Sequence, residues 1–238
     1  MIRSTAVVAA TALIMSAGVA EARTIFVSNE RGNSITIIDG DSLEMIETVD
    51  VGQRPRGIAL SPDGKHLYIC ASEDDTIQVM DTETFEITDN VLVDQRPRVA
   101  TFTADGAEVW VSSEIGGTVS VIDNATREVK HKITFEVPGV PPESLQPVGI
   151  EILSDGSKAY VALGPANRVA VIDAQTYEVT DYLLVGQRVW QLALSPDETM
   201  LYSTNGVSND ISVIDVENDE VIKSVPVGSF PWGVAVKE

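Results

Sequence analysis

One tripeptide recurs along this chain at nearly constant spacing, and it constrains the fold more than any other feature. Two apolar residues followed by aspartate occur at Ile37-Ile38-Asp39, Val79-Met80-Asp81, Val121-Ile122-Asp123, Val171-Ile172-Asp173 and Val213-Ile214-Asp215. Successive aspartates are separated by 42, 42, 50 and 42 residues. A fixed period of this length indicates a repeat protein, in which one unit is copied and neighbouring units bury each other's faces.

Each repeat unit contains four short β-branched runs separated by Gly, Asp and Asn, a pattern that predicts four strands joined by tight turns. One aligned position before the third strand favours positive φ, and the aspartate that ends this strand should accept hydrogen bonds from turn amides. The positive-φ position is occupied by Asn33, Asp75, Gly117, Asn167 and Asn209. Four-stranded units of this length predict an all-β fold, a β-propeller with five blades.

The two ends of the repeat region predict how the ring closes. The first unit begins with a second strand at Thr24 and has no inner strand of its own, whereas residues 232–236 align with the inner strands of the other units. We therefore predict that 232–236 join the first blade and close a five-bladed ring. The 50-residue spacing reflects an insertion within 135–144, whose three prolines and one glycine predict a stiff surface loop.

Residues 1–22 read as a secretory signal peptide, with Arg3, an apolar stretch and the sequence Ala20-Glu21-Ala22 at the expected cleavage site. We expect a single domain at 23–238 that is periplasmic or secreted, with no membrane span after signal removal. The formal net charge of −20 argues against nucleic-acid binding. The single cysteine, Cys70, excludes an intramolecular disulfide, and we expect it to be a packed core residue.

The connection from the fourth strand of one unit to the first strand of the next should reach the centre of the ring, where it forms the candidate site. Aligned, these connections form one ring of Arg54, Arg96, Gln146, Arg188 and Phe230, and a second ring of Arg56, Arg98, Val148, Trp190 and Trp232. Five of the ten arginines and two of the three tryptophans lie here. We predict a ligand site for an anion with a stacking surface. The alternative is that each arginine pairs with an acidic residue of a neighbouring blade.

No catalytic motif is apparent. The sequence has no G-x-S-x-G elbow, no H-E-x-x-H and no glycine-rich phosphate loop. We therefore predict neither catalytic residues nor a metal site, and an enzymatic role is the less favoured hypothesis.

Several segments resemble known propeller repeats. Leu67-Tyr68-Ile69, preceded by Ser61-Pro62-Asp63-Gly64, resembles the YVTN family of β-propeller repeats. Val51-Gly52-Gln53-Arg54-Pro55-Arg56-Gly57 and Leu163-Gly164-Pro165-Ala166-Asn167-Arg168 look more closely like the exported PQQ-dependent catabolism-associated β-propeller proteins. Members of that family usually have seven blades, whereas five units are counted in this chain.

This resemblance implies a non-catalytic binding, scaffold or accessory protein of periplasmic PQQ-dependent (quinoprotein) alcohol catabolism. The partners that it implies are a quinoprotein dehydrogenase, a cytochrome c or transport components. PQQ or another anionic quinone is the implied non-covalent ligand, and no covalently bound cofactor is expected. The alternatives are a propeller enzyme, either lactonase-like or a dehydrogenase subunit, and a cell-surface repeat protein.

Overall fold

The computed structural model describes residues 23–237, which form five antiparallel sheets, one from each repeat unit. The predicted signal peptide lies outside the described residues. The first sheet contains β1 (Thr24–Asn29), β2 (Ser34–Asp39) and β3 (Met45–Asp50). The second contains β4 (Pro55–Leu60), β5 (His66–Ala71), β6 (Thr76–Asp81) and β7 (Ile87–Leu92). The third contains β8 (Pro97–Phe102), β9 (Glu108–Ser113), β10 (Thr118–Asp123) and β11 (Val129–Thr134).

The fourth and fifth sheets follow the same plan, in which consecutive strands pair in chain order. The fourth contains β12 (Ile150–Ile152), β13 (Lys158–Ala162), β14 (Arg168–Asp173) and β15 (Val179–Leu184). The fifth contains β16 (Val189–Leu194), β17 (Met200–Asn205), β18 (Asp210–Asp215) and β19 (Glu220–Pro226). The predicted four-stranded unit is therefore present in four of the five sheets.

The turn chemistry predicted from the repeats is confirmed. All five residues at the aligned hairpin position have positive φ, between 51° at Asn33 and 68° at Gly117. Asp39 Oδ1 accepts hydrogen bonds from the amides of Asp41 and Ser42, at 2.9 and 2.7 Å, and the equivalent aspartates accept turn amides in the same way. These amide hydrogen bonds hold the pKa of Asp39 and of three of its equivalents below the usual value.

Apolar side chains pack between successive sheets rather than within one shared core. Four buried clusters join sheets one and two, two and three, three and four, and four and five. Between the first two sheets, for example, Ile35 and Ile37 pack against Leu67 and Ile69. Each sheet therefore behaves as a blade that is stabilised by its neighbours. Cys70 lies in one of these clusters, and burial raises the pKa of its thiol to about 12.

The predicted closing strand is not formed in the described residues. Residues 227–237 have no strand, and β1 pairs only with β2. Ile25 and Val27 of β1 are each 41% exposed, whereas Leu67 and Ile69 at the equivalent positions of β5 are 1% and 0% exposed. Within 23–237 no apolar cluster joins the fifth sheet to the first.

The reason is that the segment is fixed to the fifth sheet. Thr204 Oγ1 donates a hydrogen bond of 2.8 Å to the carbonyl oxygen of Trp232, and the Trp232 ring lies 4.5 Å from that of Trp190. A Cβ atom at Gly233 would meet nothing within 4 Å, so no inner strand lies beside it. Within residues 23–237 the first blade consequently has three strands.

The inserted loop is largely exposed, as predicted, and is anchored at its start. Phe135 and Val137 belong to the cluster between the third and fourth sheets, whereas 141–143 are exposed. The loop also contains a 3₁₀ turn, Pro142–Ser144, and a second 3₁₀ turn is formed by Gly164–Ala166. Among residues 23–237, no helix has the length and hydrophobicity needed to span a membrane.

Candidate functional site at the channel mouth

A cavity of about 520 Å³ lies where β1 and the inner strands of the other four sheets converge. It is lined by Ser28, Glu30, Pro55, Arg56, Gly57, Arg98, Val99, Val148, Gln191 and Trp232. The first sheet contributes through β1 and its hairpin, the next sheets through their inner strands, and Trp232 comes from the segment fixed to the fifth sheet. The arginines next to this cavity are held by two repeated sets of hydrogen bonds.

The first set fixes the connections at the rim of the cavity. In four of them a residue with φ between 53° and 65° donates its amide to a side-chain oxygen of the preceding unit's hairpin. These pairs are Arg54–Asn33 (3.0 Å), Arg96–Asp75 (2.9 Å), Arg188–Asn167 (2.8 Å) and Phe230–Asn209 (2.9 Å). The acceptors are the residues predicted at the positive-φ hairpin position, so this position shapes the hairpin and also orients the rim arginines.

The second set fixes the inner strands. A hydroxyl on one sheet donates to a carbonyl at the start of the next sheet's inner strand, and the same contact holds Trp232. These bonds are Ser28 Oγ to Arg56 O (2.9 Å), Ser72 Oγ to Pro97 O (2.6 Å), Ser112 Oγ to Val148 O (2.7 Å) and Thr204 Oγ1 to Trp232 O (2.8 Å). The backbone that carries the cavity-lining residues is thereby held by the preceding blade.

On the side of the first three blades, the arginines are ion-paired. Glu30 Oε1 lies 2.8 Å from Arg54 Nη2 and 3.0 Å from Arg56 Nη2, and hydrogen bonds from these two guanidinium groups lower the pKa of Glu30. Arg54 Nη1 also lies 2.5 Å from Glu73 Oε1. This arrangement fits the alternative prediction, in which acidic residues neutralise the arginines.

The third blade repeats this neutralisation. Glu114 is buried, and its Oε2 lies 3.0 Å from Arg98 Nη1 and 3.5 Å from Arg96 Nε. The Arg96 Nε contact is electrostatic, because this atom has no hydrogen-bond partner within the described chain. Burial lowers the pKa of Arg98, and the nearby charges of Arg56 and Arg96 act in the same direction against the attraction of Glu114.

The side formed by the fourth and fifth blades has a different composition. Within 23–237 no carboxylate lies within 4.0 Å of the Arg188 guanidinium, which instead lies 4.6 Å from the centre of the Trp190 ring. Trp190 packs against Trp232, and the Arg98 guanidinium lies 5.6 Å from the centre of the Trp232 ring. Two tryptophan rings and two guanidinium groups therefore form one aromatic–cationic patch, which comprises Arg98, Arg188, Trp190 and Trp232.

Glycines explain the difference between the two sides. Three residues before the positive-φ position, the first and third units have Glu30 and Glu114, whereas the fourth and fifth units have Gly164 and Gly206. A Cβ atom at Gly206 would lie 2.5 Å from Trp190 Nε1, so a glutamate at this position would displace the indole. The glycine both removes the carboxylate that would neutralise Arg188 and leaves space for the tryptophan.

One of the arginines at the mouth differs from the others in its pairing. Glu30, Glu73 and Glu114 form ion pairs with four of the five arginines, and within residues 23–237 no carboxylate lies within 4.0 Å of the fifth, Arg188. In addition, Arg56 Nη1 is buried and has no hydrogen-bond partner among residues 23–237. This donor and the guanidinium groups of the aromatic–cationic patch can donate hydrogen bonds to carboxylate groups, and the tryptophan rings of the patch can stack on a flat ring.

The structure separates the residues predicted for the site into three groups. Arg56, Arg98, Val148 and Trp232 line the cavity. Arg54 and Trp190 do not line it but contact the lining residues Glu30 and Trp232, and Arg96 and Arg188 lie further out, against Glu114 and Trp190. Gln146 and Phe230 are not among the lining residues: Gln146 Nε2 donates to Glu143 O at 3.0 Å, and Phe230 is 74% exposed. Their predicted contribution to the site is not supported by this placement.

Sequence reasoning missed Glu30, Glu114 and Gln191. A signal for the two glutamates was present in the sequence. The aligned position three residues before the positive-φ residue is occupied by Glu30, Ser72, Glu114, Gly164 and Gly206 along the chain. The described residues hold no group of three or more His, Cys, Asp or Glu side chains that could bind a metal ion.

Two solved structures share the architecture of this chain. Hydrazine synthase from Kuenenia stuttgartiensis superposes with a TM-score of 0.63 at 17% identity, over 87% of this chain and 84% of that one. A functionally unknown protein from Desulfotomaculum acetoxidans DSM 771 gives a TM-score of 0.73 at 14% identity, over 87% of this chain and 67% of that one. At these identities the likeness concerns the fold alone, and it supports a β-propeller. None of the curated proteins matches the sequence.

A family model describes most of the chain. The choice-of-anchor I domain matches residues 29–233, which include every strand from β2 to β19 and the segment that carries Trp232. A domain of this kind indicates an exported or cell-surface protein. The chain belongs to the choice-of-anchor I domain family.

Proposed function

We propose that this protein is a non-catalytic, exported binding propeller whose channel mouth takes up a flat, anionic ligand. The observation that carries the proposal is the aromatic–cationic patch, where Arg188 has no acidic partner among residues 23–237 and lies on the face of Trp190. A guanidinium without an acidic partner attracts an anion more strongly than an ion-paired one does. The ligand would therefore bind towards the fourth and fifth blades.

The dimensions and donors suit a small aromatic polycarboxylate. The cavity of about 520 Å³ lies within the range of small-molecule sites. Arg188 and the free Nη1 of Arg56 can each donate to a carboxylate, while Trp232 is 49% exposed and offers a ring face for stacking. The first three blades contribute ion pairs that keep the remaining arginines in place.

The resemblance to PQQ-dependent catabolism-associated propellers suggests which ligand and which system are involved. PQQ is a planar quinone with several carboxylates, which matches the donor set described above. We therefore propose an accessory role in periplasmic quinoprotein alcohol oxidation, in contact with a dehydrogenase, a cytochrome c or transport components. Bound PQQ would be held non-covalently by Arg188, Arg56 and the two tryptophans.

The test is a titration of the purified protein with PQQ, followed by tryptophan fluorescence. Trp190 and Trp232 should be quenched, whereas Trp110 is fully buried elsewhere. The Arg188→Ala variant loses a charge-assisted hydrogen bond, which contributes about 1.5–3 kcal/mol, so its affinity should fall about 10- to 100-fold.

Arg54→Ala is the matched control, because it removes a rim arginine at the equivalent position that is already paired with Glu30 and Glu73. Its affinity for PQQ should stay within about twofold of the wild type. Equal losses in the two variants would point to a general electrostatic effect. The absence of saturable quenching in the wild type would contradict the proposed function.

Surface display is the second candidate function, and the match to a choice-of-anchor domain favours it. In that case the protein would serve at the cell exterior rather than in the periplasm. Fractionation with protease treatment of intact cells separates the two, since only a surface protein is digested before the outer envelope is opened.

A further inference from the structure

Among the residues that the structure describes, the first sheet has a free inner edge. β1 pairs with β2 on one side, and within 23–237 its other side has no strand, although the second strand of every other sheet pairs with an inner strand. The free edge leaves backbone amide and carbonyl groups of β1 without ladder partners. Such an edge readily accepts an additional strand.

An apolar groove lies along this edge. Its volume is about 330 Å³, and it is lined by Thr24, Ile25, Phe26, Ile58, Leu60 and Leu67. Leu60 is 48% exposed, and Ile25 is 41% exposed. In the complete blades, the corresponding space is filled by the side chains of the inner strand, so the groove is shaped for an apolar extended segment.

The chain contains one further segment with the inner-strand pattern. Val234, Ala235 and Val236 align with Ile58, Ala59 and Leu60 of β4 and with Leu192, Ala193 and Leu194 of β16. The alternation of two apolar residues around a small one is therefore retained. This segment follows Trp232, whose carbonyl oxygen is held by Thr204 in the way that the starts of the other inner strands are held.

The same chain does not bring this segment to its own β1. The contacts of Trp232 with Trp190, Thr204 and Arg98 fix the segment beside the fifth sheet, and Gly233 has no neighbouring inner strand. By contrast, the Cβ positions at Gly57 and Gly149 lie 2.3 and 2.9 Å from the next inner strand. Both the free edge and the unpaired segment thus remain available within one molecule.

We propose that the free edge of β1 is a docking site for residues 232–236 of a second copy of this chain. The added strand would run antiparallel to β1 as the missing inner strand of the first blade. The register follows from β4 and β5, where Ile58, Ala59 and Leu60 lie opposite Ile69, Tyr68 and Leu67. By equivalence, Val234 of the second copy lies opposite Val27, Ala235 opposite Phe26, and Val236 opposite Ile25.

This docking also brings together the two uncovered end faces. Because 232–236 are fixed to the fifth sheet of their own chain, docking places that sheet next to the first sheet of the other copy. Ile25 and Val27 would then be covered by a face that includes Tyr202 and Val213, which are less buried than their fully buried equivalents Tyr160 and Val121. The contact is head-to-tail and continues the series of blade interfaces already present in the chain.

Disulfide trapping tests the register and the origin of the strand. Directly opposite residues of antiparallel strands have Cβ atoms about 4.5–5.5 Å apart, which small backbone shifts bring within disulfide range. A Val27→Cys chain mixed with a Val234→Cys chain should yield a covalent heterodimer after mild oxidation. Cys70 can remain, since it is fully buried and does not compete.

The matched control is a mixture of Val27→Cys and Val236→Cys chains, in which the cysteines are two residues out of register and should link poorly. A chain that carries both Val27→Cys and Val234→Cys separates the two sources of the strand. A disulfide confined to the monomer would overturn the proposal in favour of ring closure within one chain. Equal linking in the control mixture would overturn the register.

Light scattering of the unmodified protein gives a readout without any substitution. The measured mass should rise from that of one copy to that of two or more as the protein concentration increases. A mass of one copy at every concentration would overturn the proposal.

Discussion

The free energy of unfolding of the Gly57→Ala variant is expected to be about 3 kcal/mol lower than that of the wild type. A Cβ atom at Gly57 would lie 2.3 Å from the carbonyl oxygen of Arg98 and 3.2 Å from the Cα of Val99. Both contacts are with the backbone of β8, so the clash can be relieved only by moving the second and third blades apart. Urea denaturation of the wild type and the variant measures the difference.

The equivalent substitution Gly233→Ala is the matched control. A Cβ atom at Gly233 meets nothing within 4 Å, and the unfolding free energy should change by less than about 0.5 kcal/mol at low protein concentration. A loss as large as that of Gly57→Ala would mean that residue 233 lies against another inner strand in the same molecule. An unchanged Gly57→Ala variant would contradict the close approach of the two blades.

The elements that could be predicted from the sequence are those that local chemistry determines. The hairpin position of Asn33 tolerates positive φ because asparagine, aspartate and glycine all reach the left-handed region, and this preference is visible in single residues. The same is true of Asp39, whose side chain closes a turn with amides only two and three residues away. Such signals repeat in every unit, so the five units and most of their strands could be predicted, but the inner strand predicted for the first unit is not formed.

Closure of the ring could not be predicted in this way. Whether residues 232–236 reach β1 depends on the rotation between successive blades, which accumulates over four interfaces and is set by side-chain packing. No local pattern encodes that rotation. The pattern of Val234 to Val236 is strand-like, but these residues form no strand in the structure, and the contact of Trp232 with Trp190 decides where the segment lies.

The candidate site was predicted in part for a similar reason. The connections identified the arginines and tryptophans, because each connection is a local repeat. Whether each arginine is ion-paired depends on a second repeated position, three residues before the positive-φ residue, which is Glu30 in one unit and Gly206 in another. Only when both positions are compared across units does it follow that Arg54 is ion-paired while Arg188 is not.

Removing the charge of Glu151 should produce the largest pH-dependent change in stability. Glu151 lies on inner strand β12, at the position of Ala59 and Ala193 in other blades. Burial, together with the charge of Glu198, raises the pKa of its carboxyl group from 4.5 to about 7. Because the folded state holds this proton more tightly than the unfolded state does, stability falls as the pH rises from about 4.5 to 7.

The Glu151→Gln variant has no carboxyl group to ionise at this position, and its side chain has nearly the same shape. Above pH 7.5 it should therefore be more stable than the wild type by about 3 kcal/mol, the equivalent of the pKa difference, and near pH 5 the two should converge. Urea denaturation at pH 5 and pH 8 measures the change. Glu47→Gln removes one charge from an exposed site on β3 and controls for the lower net charge. A stability gain that is equal in the two variants, or independent of pH, would show that Glu151 is solvated in the folded protein rather than held between the fourth and fifth blades.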